Sequence, residues 1–186
     1  MKWPWLRNTR WETIVQLNAG LCQQARADHK PTSDGYEKTR NFWLENHERE
    51  LTLAEAVEIC RKCHLLAPFC NYNGNTFVVV IRDCIRHAPG FTPEQRILAR
   101  SLAGHLVAGT AEPGEAAQFQ QILHDVEHGT ATAPATPLKA GDRVKTPKGS
   151  LTGTVIRVNP NGTITWKADQ TDAELTGSPE TVLPLT

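Results

Sequence analysis

No apolar run in the 186-residue chain approaches the roughly 20 residues that a bilayer-spanning helix needs, so no membrane association is expected. An excess of charge is missing too: 20 Lys and Arg face 20 Asp and Glu, giving a formal net charge of zero. That balance argues against a protein whose affinity comes mainly from neutralising phosphates, while leaving room for a local basic patch. The opening MKWPWLRNTRW has no apolar h-region and no small-residue cleavage site, so export is not expected and a cytoplasmic location is. Disulfide arithmetic fails as well. Five cysteines is an odd number, in a chain large enough to fold without bridges, which reads as a reduced protein. Also absent are a Gly-rich phosphate loop, a Ser-His-Asp order and a paired-carboxylate motif, so an enzyme is not the expected class.

What is present divides the chain by period. Residues 1–129 carry helical spacing and helix punctuation. Thr9–Glu12, Thr52–Glu55 and Thr92–Gln95 each read as a capping box, in which the Thr hydroxyl and the acidic or amide side chain satisfy each other's backbone amides. Pro93 stands at a first helical position, where its missing N–H costs nothing. Further helices are expected over the stretch from Tyr36 that carries Phe42, Trp43 and Leu44, and from Pro113 to Gly129. The segment NGNTFVVVIRDCIRH has a strand-like composition, but Arg82, Asp83, Arg86 and His87 fall in pairs four apart. That is helical period, with Asn75 or Thr76 as cap, and the three valines imply a central, well-buried position. Residues 130–138 form a Thr/Ala/Pro linker with nothing to pack. From 139 to 186 the period becomes two, with Gly, Pro and Asn turns between short strands, which predicts a small antiparallel barrel. The fold class is therefore α+β in two segregated parts: an all-α bundle of five to six helices, then a small barrel.

Within that last part, AGDRVKTPKGSLTGTVIRVNPNGTITW carries a G-D-x-V opening, a G-x-x-G-x-V second strand and a Trp on the third. It resembles the SH3-like small barrels of the KOW type, over about a quarter of the chain, and the resemblance implies a docking module. The opening is also similar to the plasmid-borne type II dihydrofolate reductases. Their Val-Gln-Ile-Tyr active-site strand has no counterpart here, where the region reads GSPETVLPL.

Chemistry is most concentrated in EICRKCHLLAPFC, which places Cys60, Cys63, His64 and Cys70 within eleven residues. At about 100° per residue, Cys63 lies about 60° to one side of Cys60 and His64 about 40° to the other. Leu53, Ala56, Val57 and Ala67 share that stripe, so the candidate ligands occupy the core-facing side of the helix. Small buried cysteines are the leading reading, and no cofactor is the expectation. The alternative is a Zn2+ site in which Pro68 turns the chain and Cys70 swings back as fourth ligand, with Cys84 or His87 as substitutes. C-x-x-C-H also matches c-type haem attachment, which belongs to exported proteins and is set aside. A reactive thiol needs a lowered pKa, and Arg61 and Lys62 point away from the cysteines. His124 and His128, in an H-x-x-E-H pattern, fall opposite a buried face of Ala116, Phe119, Ile122, Leu123 and Val126 and read as a solvated helix end.

Two surfaces are expected to meet partners. Arg143, Lys145, Lys148, Arg157 and Lys167 gather basic charge on the barrel, where Trp166 can stack on a base or, as the leading reading, anchor the barrel or a protein interface. Trp3 and Trp5 form an N-terminal arm suited equally to a protein contact or to packing on the helical bundle. Together these describe a non-catalytic cytoplasmic accessory or adaptor protein docking on a protein or nucleoprotein assembly through its barrel. The alternatives are a zinc-containing, nucleic-acid-associated regulator and a metal or thiol enzyme at the cysteine cluster.

Overall fold

The computed structural model describes residues 2–128, 137–146, 151–171, 173–177 and 179–185. Most of the expected linker, residues 130–136, and the barrel residue Lys148 lie outside the described residues. The chain divides into two compact units, Met1–Gly90 with Ala99–Thr130 and Phe91–Leu98 with Ala131–Thr186, called here the helical and the sheet unit. The second therefore takes in the first six residues, Pro93–Leu98, of a helix that the sequence assigns wholly to the bundle.

Among the described residues six α-helices follow one another: α1 Trp11–Gln24, α2 Tyr36–Asn46, α3 Leu53–Leu65, α4 Asn73–Arg86, α5 Pro93–Ala108 and α6 Glu115–Glu127. Two of the three capping boxes form. Thr52 caps α3 reciprocally with Glu55, and Thr92 does the same with Gln95 at α5. A cap of this kind contributes about 1 kcal/mol. The third does not form: α1 begins after Arg10, with no side-chain cap. Thr9 is used elsewhere, its carbonyl accepting from Trp43 Nε1 at 3.1 Å. Burying Trp11 sets this start, because its ring stacks on Phe69 and meets the edge of Tyr36.

Helix α4 is helical as its period predicts, but its cap is neither Asn75 nor Thr76. Tyr72 precedes it at φ 58°, ψ 24°, a left-handed conformation that costs a non-glycine residue about 1 kcal/mol. Asn73 holds that turn, accepting from Phe69 N and donating to Phe69 O. The valine run is not uniformly buried. Val80 is in the core with Phe77, Ile81 and Ile85, whereas Val79 faces out, so α4 is amphipathic. It packs on α3 and α1. Helix α6 buries Phe119 and Ile122, but Ala116, expected inside, is exposed.

The polar centre of the helical unit is Asn18, fully buried on α1. Its amide donates to Asn71 O at 2.8 Å and Thr76 Oγ1 at 2.9 Å. Its oxygen lies 2.8 Å from His29 Nδ1 and accepts from Cys22 Sγ at 3.5 Å. One side chain thus ties α1 to α4 and to the loop that precedes it.

The sheet unit holds β1 Arg143–Lys145, β2 Thr152–Val158, β3 Ile164–Ala168, β4 Glu174–Gly177 and β5 Leu183–Pro184, in the order β4-β3-β2-β1-β5. Every pairing is antiparallel. Among the described residues the sheet is open, with β4 and β5 as its edges, where the sequence predicts a closed barrel. Strand β5 is two residues long and contains Pro184, which has no N–H for a further ladder. Val144, Val155, Ile164, Trp166, Ala168 and Val182 form its core. Gly153 is required there, since a Cβ would lie 2.6 Å from Trp166 Cε3. A register shift between Val155 and Arg157 marks a bulge, and both Ile156 and Val158 are exposed.

Candidate functional site

The cysteines separate into two groups. Helix α3 buries Cys60 and Cys63 completely, as the stripe predicts. Burial pushes the Cys63 thiol up to about 12 and the Cys60 thiol well above the ordinary range, the latter with help from neighbouring Cys63 and Cys84. Cys84 is raised to about 12 by burial and by Asp83, and its Sγ donates to the carbonyl of Trp5 at 3.1 Å. Cys70 does not swing back toward them. Helix α3 stops at Leu65 and Ala67 turns left-handed before Pro68, as the proline predicts, but the chain then bridges away, with Pro31 paired to Phe69 and Cys70 N donating to Lys30 O. Cys70 is exposed, and the thiol it influences electrostatically is Cys22. Of the substitutes, Cys84 neighbours Cys60, whereas His87 is exposed and turned back on Asp83 O. Among the described residues no three His, Cys, Asp or Glu groups lie together in a way that can hold a metal ion. As placed, the set does not fit tetrahedral zinc.

A thiolate is the nucleophile in cysteine chemistry, and these environments favour the thiol. Native protein treated with dithiobis(nitrobenzoate) is expected to release colour from one thiol within minutes and from the other four only after denaturation. Cys70→Ser is expected to abolish the fast phase. Rapid reaction of the Cys70→Ser variant would show that the α3 cysteines are open to solvent.

The remaining candidates are distributed as follows. Trp166 lies in the sheet core, so it offers no face for a base, which corrects the stacking expectation. Arg143 is paired with Asp169 through two hydrogen bonds of 2.6 and 2.8 Å. With Thr152 donating as well, that pair holds the Asp169 carboxyl at about 2. Lys145 is half-buried, while Arg157 and Lys167 are exposed. In the N-terminal arm Trp3 is exposed and pairs its backbone with Leu51, but Trp5 is half-buried with its indole N–H sealed, so only Trp3 is presented outward. His124 and His128 stack at 4.0 Å on an exposed helix end.

What the sequence did not single out is a cleft of about 640 Å³ in the helical unit, lined by α3, α4, α5 and the loop before α4. His64 stands at one end. Its Nδ1 is 2.8 Å from Val107 O, and since a carbonyl can only accept, Nδ1 carries the proton. In the neutral ring Nε2 is then an acceptor, and it lies over Gly74, 3.3 Å from where a Cβ would be. His105 Nδ1 is held by Glu115 Oε1 at 2.8 Å, again leaving Nε2 as the unassigned ring nitrogen. Arg82 lies across Gly104, where a Cβ would be 2.7 Å from Nη2. Its Nε donates to Arg100 O at 3.2 Å. Burial, and secondarily Arg100, weigh against its charge and lower its pKa. Polar side chains facing a shared space, each fixed by a second group, make a site able to hold a ligand. The available signal was weak: His105 and Arg82 look like ordinary polar positions, and only the adjacent Gly104 hints at a close approach.

Comparison of the chain with family models, with curated proteins and with solved structures finds no match in any of the three.

Proposed function

We propose that this is a non-catalytic cytoplasmic accessory or adaptor protein that docks on a larger protein or nucleoprotein assembly through its C-terminal sheet, and that the sheet is an SH3-like barrel of the KOW type. The strand order supports the finer architecture: a four-stranded meander, β1 to β4, is followed by a β5 that returns to pair with β1. The close approach of Gly153 to Trp166 gives a physical reason for the glycine and tryptophan of the motif. Five unpaired cysteines suit a reducing compartment.

The observation that carries docking is the apolar surface of β2, where Ile156 is 39% and Val158 50% exposed on either side of Arg157. Apolar side chains left in water on a short strand gain most by burial against a partner. The regulator reading has less support, because Trp166 is sealed and Arg143 already has a carboxylate. The enzyme reading at the cysteines has less still, because burial keeps Cys60 and Cys63 protonated.

The test is capture from native extract on immobilised full chain, with and without nuclease, beside an Ile156→Asp/Val158→Asp variant whose fold is checked by amide resonance dispersion. A discrete partner retained by the wild type and lost by the variant is expected. Identical retention by both would reject docking through β2. Loss of the partner on nuclease treatment would move the reading to nucleic acid.

A further inference from the structure

Arg82 is a half-buried cation of the helical unit that, among the described residues, has no carboxylate in place. Among the described residues its one hydrogen bond runs from Nε to the carbonyl of Arg100, which leaves both terminal nitrogens of the guanidinium without an acceptor. The acidic groups nearby are committed: Glu115 accepts from His105 and from the Glu112 amide, and Asp83 lies beside Arg86 and His87. Arg82 also borders a second cleft of about 400 Å³, where Asp83 lies 3.9 Å from Arg86 and the charge of Arg100 weighs further against that of Arg82. A guanidinium removed from water carries a desolvation cost that an oxyanion with two acceptor oxygens relieves directly.

The geometry around it has a length as well as a charge. Gly74, Val78 and Arg82 all line the larger cleft and are spaced four apart, so they form one stripe of α4 about 12 Å long. His64 closes the Gly74 end, and His105 and Gly104 stand on α5 along the opposite wall. The first turn of α4 has no side-chain cap, and it opens into the same space through Tyr72, Asn73, Gly74 and Asn75. A free oxyanion would fill only a small part of about 640 Å³. The room left over fits a short polar body extending from the anionic group toward the His64 ring.

We propose that this cleft binds a small organic molecule with an oxyanion terminus, phosphate or carboxylate, held bidentately by Arg82, with its body running along the Gly74–Val78 stripe to His64. Gly104 is what allows the guanidinium to lie flat along the wall, and the two histidines are oriented by Val107 and Glu115 so that each leaves Nε2 without a partner among the described residues. No bond is made or broken in this role. The site is a sensor or carrier pocket in the helical unit, separate from the β2 surface.

The experiment is a titration of the isotopically labelled full chain at fixed ionic strength, following the Gly74 and Gly104 amide resonances. The probes are glycerol 3-phosphate, inorganic phosphate and succinate, with glycerol as the uncharged control. Saturable shifts at both glycines are expected with at least one anion, at a Kd below about 1 mM, and none with glycerol. Arg82→Gln is expected to weaken that binding about tenfold or more, with Arg82→Lys intermediate, because a bidentate charge-assisted contact is lost. Response to the phosphates alone assigns a phosphate ligand, and response to succinate alone a carboxylate. Because the shifts are read first on the wild type, a poorly folded variant does not remove the test. No saturable shift with any of the three anions, or wild-type affinity in a folded Arg82→Gln, would overturn the proposal.

Discussion

Asn18→Leu is expected to lower the stability of the helical unit by about 3 kcal/mol. Leucine keeps the branched skeleton of asparagine and opens no cavity, so the effect is dominated by the lost hydrogen bonds. The amide and its oxygen serve four partners: Asn71 O, Thr76 Oγ1, His29 Nδ1 and Cys22 Sγ. Each buried group left without a partner costs about 1–3 kcal/mol. Asn71 and His29 are half-buried and can recover part of that from water, which brings the sum down. Urea unfolding followed by circular dichroism at 222 nm measures it, and a loss under about 1 kcal/mol would mean that the network re-forms without its centre. The substitution also acts on the cleft. Asn71 is one of its lining residues, and the loop it belongs to sets the left-handed turn at Tyr72 from which α4 starts.

Trp166→Ala is expected to unfold the sheet unit. The indole is almost fully buried in a core that, among the described residues, holds six buried side chains, and it packs directly over Gly153. Emptying a tryptophan-sized volume costs about 3–5 kcal/mol. A sheet this small buries too little apolar surface to absorb such a loss. Collapse of the dispersed amide resonances of Val144, Val155 and Ile164 is the readout. Wild-type positions for those amides in the variant would show that Trp166 is a surface group and would return it to the role of a stacking platform.

How much was legible depended on range. The helix over α4 was readable despite its valines, because four polar residues in pairs four apart demand a period of 3.6. The burial of Cys60 and Cys63 followed from the same arithmetic on α3. Caps are local too, yet only two of the three boxes form, because the α1 box competes with a tertiary demand: Thr9 O is taken by Trp43, 34 residues away. Trp166 was placed on β3 correctly, but its face was left open between the barrel core and a contact surface. The sequence could not say whether the tryptophan belonged to the packed side or the wet one until the pairing with β2 set the register, Val155 opposite Trp166. Asn18 carried a signal that could have been used, a single amide among the apolar positions of α1.

The order of elements, the switch of period after residue 129, the inward stripe of α3 and the turn at Pro68 were determined by the sequence alone, since each is a relation among residues a few positions apart. The cleft, the fate of Cys70 and the partners of Arg143 were decided by the tertiary structure. His64 meets Val107 across 43 residues, Asn18 meets Thr76 across 58, and Arg143 meets Asp169 across 26. Such pairs are chosen by whichever arrangement buries the apolar stripes while leaving the fewest polar groups unsatisfied, a condition on the whole chain that no local window contains.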